Sequence, residues 1–496
     1  MLSARVLASK FMARSTALSL VLLVGVTALA TGCGERRSVP TADPLVPCIV
    51  PGIGRPAECG SVSVPEVADA AGASLALRVV RVPARRVVPG REALFLLAGG
   101  PGQAATEAFP ALWPVMARLS EERDIVMVDA RGTGASAALD CPHGDDADEV
   151  FRQEPLAFGA RSCLTNVNGR ALRAYGTEAT IQDLDAVRAR LGYATIDLLG
   201  VSYGTRVALG YAARYPAHVR TMVLDGVAPP ELVLGASFGR DAEAALDAVL
   251  ADCAAESACR DAFPDLRARF GRHLEALGPN PSAVELRHPE TDAPIRVVPS
   301  RGTLAALVRG LSYAPELAAL LPNTLSEVSG GRYQGLFGQA LSLARSAEAG
   351  MSLGLLYTVA CAEDVPRITD ADREAEAQTL LGTTLLDDFR AACARWPVEP
   401  RPFALGDAPI ATPTLLLSGA ADPATPPRWA EALRGRLPRS RHVVVPQAGH
   451  GVWSRGCVPS LVETFLERAT VDGLDVSCAS DFRRPAFFLD RAGPRP

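Results

Sequence analysis

The segment Ile196-Asp197-Leu198-Leu199-Gly200-Val201-Ser202-Tyr203-Gly204-Thr205 runs from apolar residues, through a serine set between glycines, into the helical pattern Thr205 to Tyr215. A short apolar run followed by a helix reads as a strand buried on both faces. A strand that enters a helix through so tight a turn has no space for Cβ atoms beside it, which accounts for Gly200 and Gly204. Ser202 then stands exposed at a helix N-terminus, where the partial positive charge favours a developing anion. Because the pattern Gly-x-Ser-x-Gly is weak in a chain with 43 glycines among 496 residues, its strand-turn-helix setting carries the reading of Ser202 as a nucleophile.

Similar apolar runs recur on both sides: Leu75 to Val82, Leu94 to Ala98, Asp124 to Asp129, Thr221 to Asp225, Thr414 to Ser418 and His442 to Pro446. Their alternation with helical stretches predicts an α/β fold, a mostly parallel sheet flanked by helices. From 231 to 405 the pattern is replaced by alanine- and leucine-rich helical segments, such as Asp241 to Cys253 and Thr303 to Leu321. The return of strands afterwards predicts a large helical cap inserted between two strands of one sheet. The expected organisation is a signal segment over 1–32, a proline-rich tether over 33–58 and core over 59–230. The cap over 231–405, the rest of the core over 406–478 and a tail over 479–496 complete it.

A serine hydroxyl needs a base, and the histidines are His143, His218, His273, His288, His442 and His450. His450 follows the last predicted strand in the loop Gln447-Ala448-Gly449-His450-Gly451, at the strand's C-terminal end, where α/β sheets place reactive groups. His442 begins that strand and His218 precedes another, so both belong to the opposite edge. Asp422, in Gly419-Ala420-Ala421-Asp422-Pro423, ends the preceding strand and is the expected acid that orients His450. Asp225 is its rival, since it also ends a strand after the nucleophile. The oxyanion donors expected are the backbone N–H groups of Tyr203 and Gly100, with Gly99 as the alternative in Ala98-Gly99-Gly100-Pro101-Gly102.

Composition removes other chemistries. The lone lysine is Lys10, so Schiff-base catalysis, a Ser-Lys dyad and a lysine-bearing phosphate loop lack their amine. The net charge of −5 comes without a basic stripe, and no nucleic-acid partner is expected. Histidines are sparse and no Cys-x-x-Cys pair occurs, so neither a metal site nor a cofactor is expected.

Arg5, Lys10 and Arg14 precede an apolar run from Ala17 to Ala30, the pattern of an export signal. Ala28-Leu29-Ala30 offers a cleavage site for a soluble secreted product; Ala30-Thr31-Gly32-Cys33 is similar to the box before a lipid-modified cysteine and predicts an envelope lipoprotein anchored through Cys33. The eleven cysteines favour the second reading, because setting Cys33 aside leaves ten in near-neighbour pairs. The pairs are Cys48 with Cys59, Cys141 with Cys163, Cys253 with Cys259, Cys361 with Cys393 and Cys457 with Cys478. Five local disulfides in an oxidising compartment are expected.

Ala98-Gly99-Gly100-Pro101-Gly102, Val128-Asp129-Ala130-Arg131-Gly132-Thr133-Gly134, the turn around Ser202, Leu224-Asp225-Gly226, and the Asp422 and His450 loops give a wider resemblance. Together they resemble the prolyl iminopeptidase and tripeptidyl aminopeptidase branch of the α/β-hydrolases, in its exported, TAP-like subgroup. The resemblance implies a serine aminopeptidase that acts on peptides from a free N-terminus through a Ser-His-Asp triad. It also implies acidic cap residues that bind the substrate ammonium, here Glu363 and Asp364 in Cys361-Ala362-Glu363-Asp364. The iminopeptidases usually carry histidine where this chain has Ala98, so any part played by that side chain is missing. An esterase on the same triad and a catalytically silent peptide-binding lipoprotein are the alternatives.

Overall fold

The computed structural model describes residues 44–67, 72–141, 163–167, 169–348 and 350–494. The expected signal segment, its cleavage sites and Cys33 lie outside the described residues, as does His143.

Eleven strands are described: β1 (Leu45–Cys48), β2 (Ala57–Pro65), β3 (Ser74–Val82), β4 (Ala93–Leu97), β5 (Ile125–Val128), β6 (Ile196–Val201), β7 (Val219–Asp225), β8 (Val284–Arg287), β9 (Pro294–Val297), β10 (Thr414–Gly419) and β11 (Ser440–Val445). Nine form one sheet in the order β1-β2-β3-β5-β4-β6-β7-β10-β11. The strands β5, β4, β6, β7, β10 and β11 are parallel to one another, and β1, β2 and β3 join antiparallel at one side. This is the α/β-hydrolase fold.

The central strands are apolar because both faces are covered. All five residues of β4, Ala-Leu-Phe-Leu-Leu, are buried. Phe95 and Leu97 pack on one face with the helices α1 (Thr177–Arg190) and α2 (Tyr203–Arg214), and Leu94 and Leu96 pack on the other with α6 (Val458–Arg468). Each such side chain contributes roughly 1.5–3 kcal/mol on burial.

Strand β10 pairs with β7 in parallel, with Leu416 beside Leu224 and Leu417 beside Asp225. Two strands nearly two hundred residues apart are therefore neighbours, and the described residues between them contribute no strand to the sheet. It is mainly helical and includes α3 (Phe238–Ala255), α4 (Arg301–Ser312) and α5 (Leu353–Val359), and it also forms the separate β8-β9 hairpin. Its helices enclose their own apolar cluster around Leu246, Phe270, Leu307 and Phe337.

Two boundaries differ from expectation. The segment read as a tether contains β1, which pairs with β2 from Leu45 opposite Gly60 to Cys48 opposite Ala57; Leu45 and Ile53 are buried there. The segment read as a tail packs on the cap, with Arg484 paired to Asp252 at 2.8 Å, Phe487 buried and the Phe488 amide donating to the Ala319 carbonyl. An aromatic pair and two cations, Arg484 and Arg491, give these last residues enough apolar and ionic contact to be held.

The structure joins the ten described cysteines as Cys48–Cys59, Cys141–Cys163, Cys253–Cys259, Cys361–Cys393 and Cys457–Cys478.

Candidate active site

Five chain segments converge at the C-terminal edge of the parallel strands: the glycine loop after β4, Ser202 after β6, Asp225 at the end of β7, Asp422 after β10 and His450 after β11. The sheet order places β6, β7, β10 and β11 side by side, so the serine, both aspartates and the histidine follow neighbouring strands.

Ser202 adopts φ 55° and ψ −124°, a region costly for a residue with a Cβ and characteristic of functional turns. Its amide donates to the Asp225 carbonyl at 2.8 Å, while the Thr205 amide and hydroxyl both donate to the Ser202 carbonyl. A Cβ at Gly200 would lie 2.6 Å from the Gly204 carbonyl oxygen, and one at Gly204 would lie 2.2 Å from that of Leu97. The turn is therefore built only with glycine at both positions. Tyr203 is the first residue of α2, and a first-turn N–H has no acceptor inside its own helix.

The Asp422 carboxylate is buried and lies 2.8 Å from His450 Nδ1 through Oδ2. Its Oδ1 accepts the amides of Ala424 and Thr425 at 2.8 and 2.9 Å. Thr425 adds a contact that sequence reasoning missed: its hydroxyl lies 3.0 Å from Asp422 Oδ2 and 3.1 Å from His450 Nδ1. The spacing of three residues from Asp422 was the available signal, since a threonine there can close a turn onto the carboxylate.

Burial opposes charge on the His450 ring, but the adjacent Asp422 carboxylate outweighs it and holds the imidazole above its ordinary value. Burial likewise acts to raise Asp422, and its ion pair and two amides prevail, leaving it below the ordinary carboxylate range. These opposed shifts are those of an acid that stays ionised beside a base that accepts a proton. The ring packs against Gly226, where a Cβ would stand 2.9 Å from His450 Cε1. The described hydrogen bonds of the triad run from Asp422 to His450 and do not extend to Ser202 Oγ; a loose serine-base contact is common before substrate binds.

Asp225 has a different position from its rival. Its Oδ2 accepts the amides of Val452 and Trp453 at 2.7 and 2.9 Å, so it holds the loop that carries His450. Its Oδ1 is buried without a partner, and burial pushes the carboxyl up to about 6.

The Gly99 amide donates to Gln103 Oε1 at 3.2 Å. Gly100 follows at φ 106° before a cis peptide to Pro101. Asp129, after β5, accepts the amide and hydroxyl of Thr106 at 2.8 and 2.9 Å and so fixes the chain leaving this loop.

The expected amine ligands are not in the cleft. Glu363 is 2% exposed and Asp364 is fully buried. Glu363 accepts the amide and hydroxyl of Thr177 at 2.8 and 2.6 Å, and Asp364 binds Arg206 at 3.0 Å. The reason lies in α2: Arg206 is buried behind the nucleophile turn and needs negative charge beside it, which the two carboxylates supply. The same group touches Tyr203, whose hydroxyl lies 2.8 Å from Thr177 Oγ1.

The remaining described histidines are accounted for elsewhere. His218 pairs with Asp185, His273 with the Tyr333 hydroxyl, and His442 with Glu431 and Ser418; His288 sits at the β8-β9 hairpin. Among the described residues no group of three or more histidine, cysteine or acidic side chains could hold a metal ion.

A nine-stranded sheet with serine, histidine and aspartate after neighbouring strands is the arrangement of an α/β-hydrolase. Family comparison agrees, since "alpha/beta hydrolase fold" matches residues 92–302 and "TAP-like protein" matches residues 378–478. The chain has the α/β-hydrolase fold, and its C-terminal part is similar to the TAP-like proteins. It is 29% identical to serine protease Hip1 of Mycobacterium tuberculosis over 85% of this chain and 87% of that one. It is 28% identical to tripeptidyl aminopeptidase of Streptomyces lividans, over 86% and 84%. A proline iminopeptidase structure from Mycobacterium smegmatis aligns with a TM-score of 0.41 at 17% identity, covering 83% of this chain and 98% of that one.

Proposed function

We propose that this protein is a serine exopeptidase that hydrolyses peptides from a free N-terminus. The observation that carries the reading is the buried Asp422–His450 pair at 2.8 Å on strands adjoining the strained Ser202 turn. In this assignment Ser202 attacks the scissile carbonyl while His450 takes its proton, and Asp422 stabilises the imidazolium. The Tyr203 and Gly100 amides receive the oxyanion. His450 then protonates the leaving amine and activates the water that resolves the acyl-enzyme. The peptide class is supported by the likeness, over 85% and 86% of this chain, to a serine protease and a tripeptidyl aminopeptidase.

The protein is further proposed to be exported and held at the cell envelope through Cys33. Support comes from the charged and apolar N-terminal pattern and from the ten paired cysteines that remain once Cys33 is set aside. Mass spectrometry of the mature N-terminus tests this: a diacylglyceryl-modified Cys33 supports it, and an unmodified start at Thr31 contradicts it.

Matched peptide amides with free and acetylated N-termini test the exopeptidase reading. Turnover of the free-amine peptides alone supports it. Comparable turnover of both contradicts it.

A further inference from the structure

Arg309 lies in the cap on α4, and its guanidinium is stacked on two rings, with its carbon centre 4.1 Å from the Phe238 centroid and 5.1 Å from that of Tyr313. Tyr313 in turn packs edge-on against His450 at 5.1 Å, and its carbonyl accepts the His450 amide at 2.8 Å. The cap therefore delivers a cation next to the ring of the base. Ser202, Arg309, Tyr313 and His450 are all partly exposed, so none of them is sealed in the core.

The charge of Arg309 is unbalanced locally. No described ion pair includes it, and its Nε is buried without a hydrogen-bond partner. The carboxylates beside His450 are engaged elsewhere, Asp422 by His450 and Asp225 by the Val452 and Trp453 amides. The Phe238 and Tyr313 rings hold the guanidinium in place, and a guanidinium fixed in this way is suited to bind a carboxylate. Buried Arg206 shows the contrast, since it is answered by Glu363 and Asp364.

We propose that Arg309 is a substrate-binding residue that recognises the free α-carboxylate of a short peptide, on the leaving-group side of the scissile bond. The side follows from its neighbour, because the base that protonates the leaving amine must face the leaving group. The inference rests on the exopeptidase reading and adds to it a substrate class: peptides short enough for their C-terminus to reach Arg309 while the scissile carbonyl is at Ser202.

Binding, rather than turnover, tests it separately from the catalytic assignment. Di- to penta-alanine acids and their C-terminal amides are titrated calorimetrically into the full chain carrying Ser202→Ala. The acid of at least one length is expected to bind about tenfold more tightly than its amide, equivalent to about 1.4 kcal/mol. Adding Arg309→Gln should abolish that difference and leave amide binding unchanged. Equal affinity of acid and amide at every length overturns the proposal, as does absence of binding or a preference that survives Arg309→Gln. The acid-amide comparison in Ser202→Ala stands even where Arg309→Gln fails to fold. Failure of the exopeptidase reading shows instead as turnover of N-acetylated peptides by the wild type.

Discussion

The Asp225 carboxylate accepts the Val452 amide at 2.7 Å, while the Asp225 carbonyl accepts the Ser202 amide at 2.8 Å. One residue at the end of β7 thus fastens the nucleophile turn with its main chain and the histidine loop with its side chain. Asp225→Ala leaves the Val452 and Trp453 amides buried without an acceptor, at roughly 1–3 kcal/mol each. Urea denaturation should show a loss of stability of about that size.

The same carboxyl gives a pH signature. Burial raises its folded value from an ordinary 3.8 to about 6, so between those values the folded state holds a proton that the unfolded state releases. Stability from this group is present below the unfolded value and is lost as pH rises through about 6. The stability of wild type minus that of Asp225→Asn should fall between pH 4 and 7, by on the order of 3 kcal/mol. A flat or rising difference contradicts a buried, raised Asp225.

Asp422 and His450 set the pH dependence of activity. His450 must be neutral to accept the serine proton, and its value is raised, so kcat/KM should fall as pH drops through a midpoint above histidine's ordinary value of about 6.5. Asp422→Asn should lower kcat by about 10⁴ and move that midpoint downward. An unmoved midpoint would show that another group supports the ring.

Thr425 touches both members of the pair. Thr425→Val keeps the shape and removes the hydroxyl, and a hydrogen bond to a charged group contributes about 1.5–3 kcal/mol. A fall in kcat of roughly 10- to 150-fold is expected, with the melting temperature little changed. Wild-type kcat in this variant would reduce Thr425 to a packing residue.

Glu363 holds Thr177 and faces Arg206 from the buried side of Tyr203. Glu363→Gln should destabilise the fold by about 1–3 kcal/mol and leave KM for free-amine peptides within about twofold. A large rise in KM for those peptides alone would return Glu363 to substrate binding.

The parallel strands and the convergence of Ser202, Asp422 and His450 were legible in the chain because buried strands and tight turns restrict residue choice. Leu94 to Leu97 can only be a strand covered on both faces, and Gly200 and Gly204 are the residues that fit beside Ser202. β2 carried a weaker signal, the alternation of Val62 and Val64 with polar residues, and β1 is four residues long with Pro47 inside it. Glu363 and Asp364 look the same in sequence whether they meet a substrate amine or a buried arginine. Only the fold, which brings Arg206 to them from more than 150 residues away, decides between the two. The stack of Phe238, Arg309, Tyr313 and His450 likewise joins three distant segments and left no local pattern.

The central claim is that Ser202 is the nucleophile of this site, and covalent labelling tests it most directly. A fluorophosphonate probe applied to wild type, Ser202→Ala and His450→Ala, followed by intact-mass and peptide mapping, should modify wild type at Ser202. Ser202→Ala should remain unmodified, and His450→Ala should react far more slowly. Equal labelling of wild type and Ser202→Ala, or a probe adduct mapped to another residue, would contradict the account.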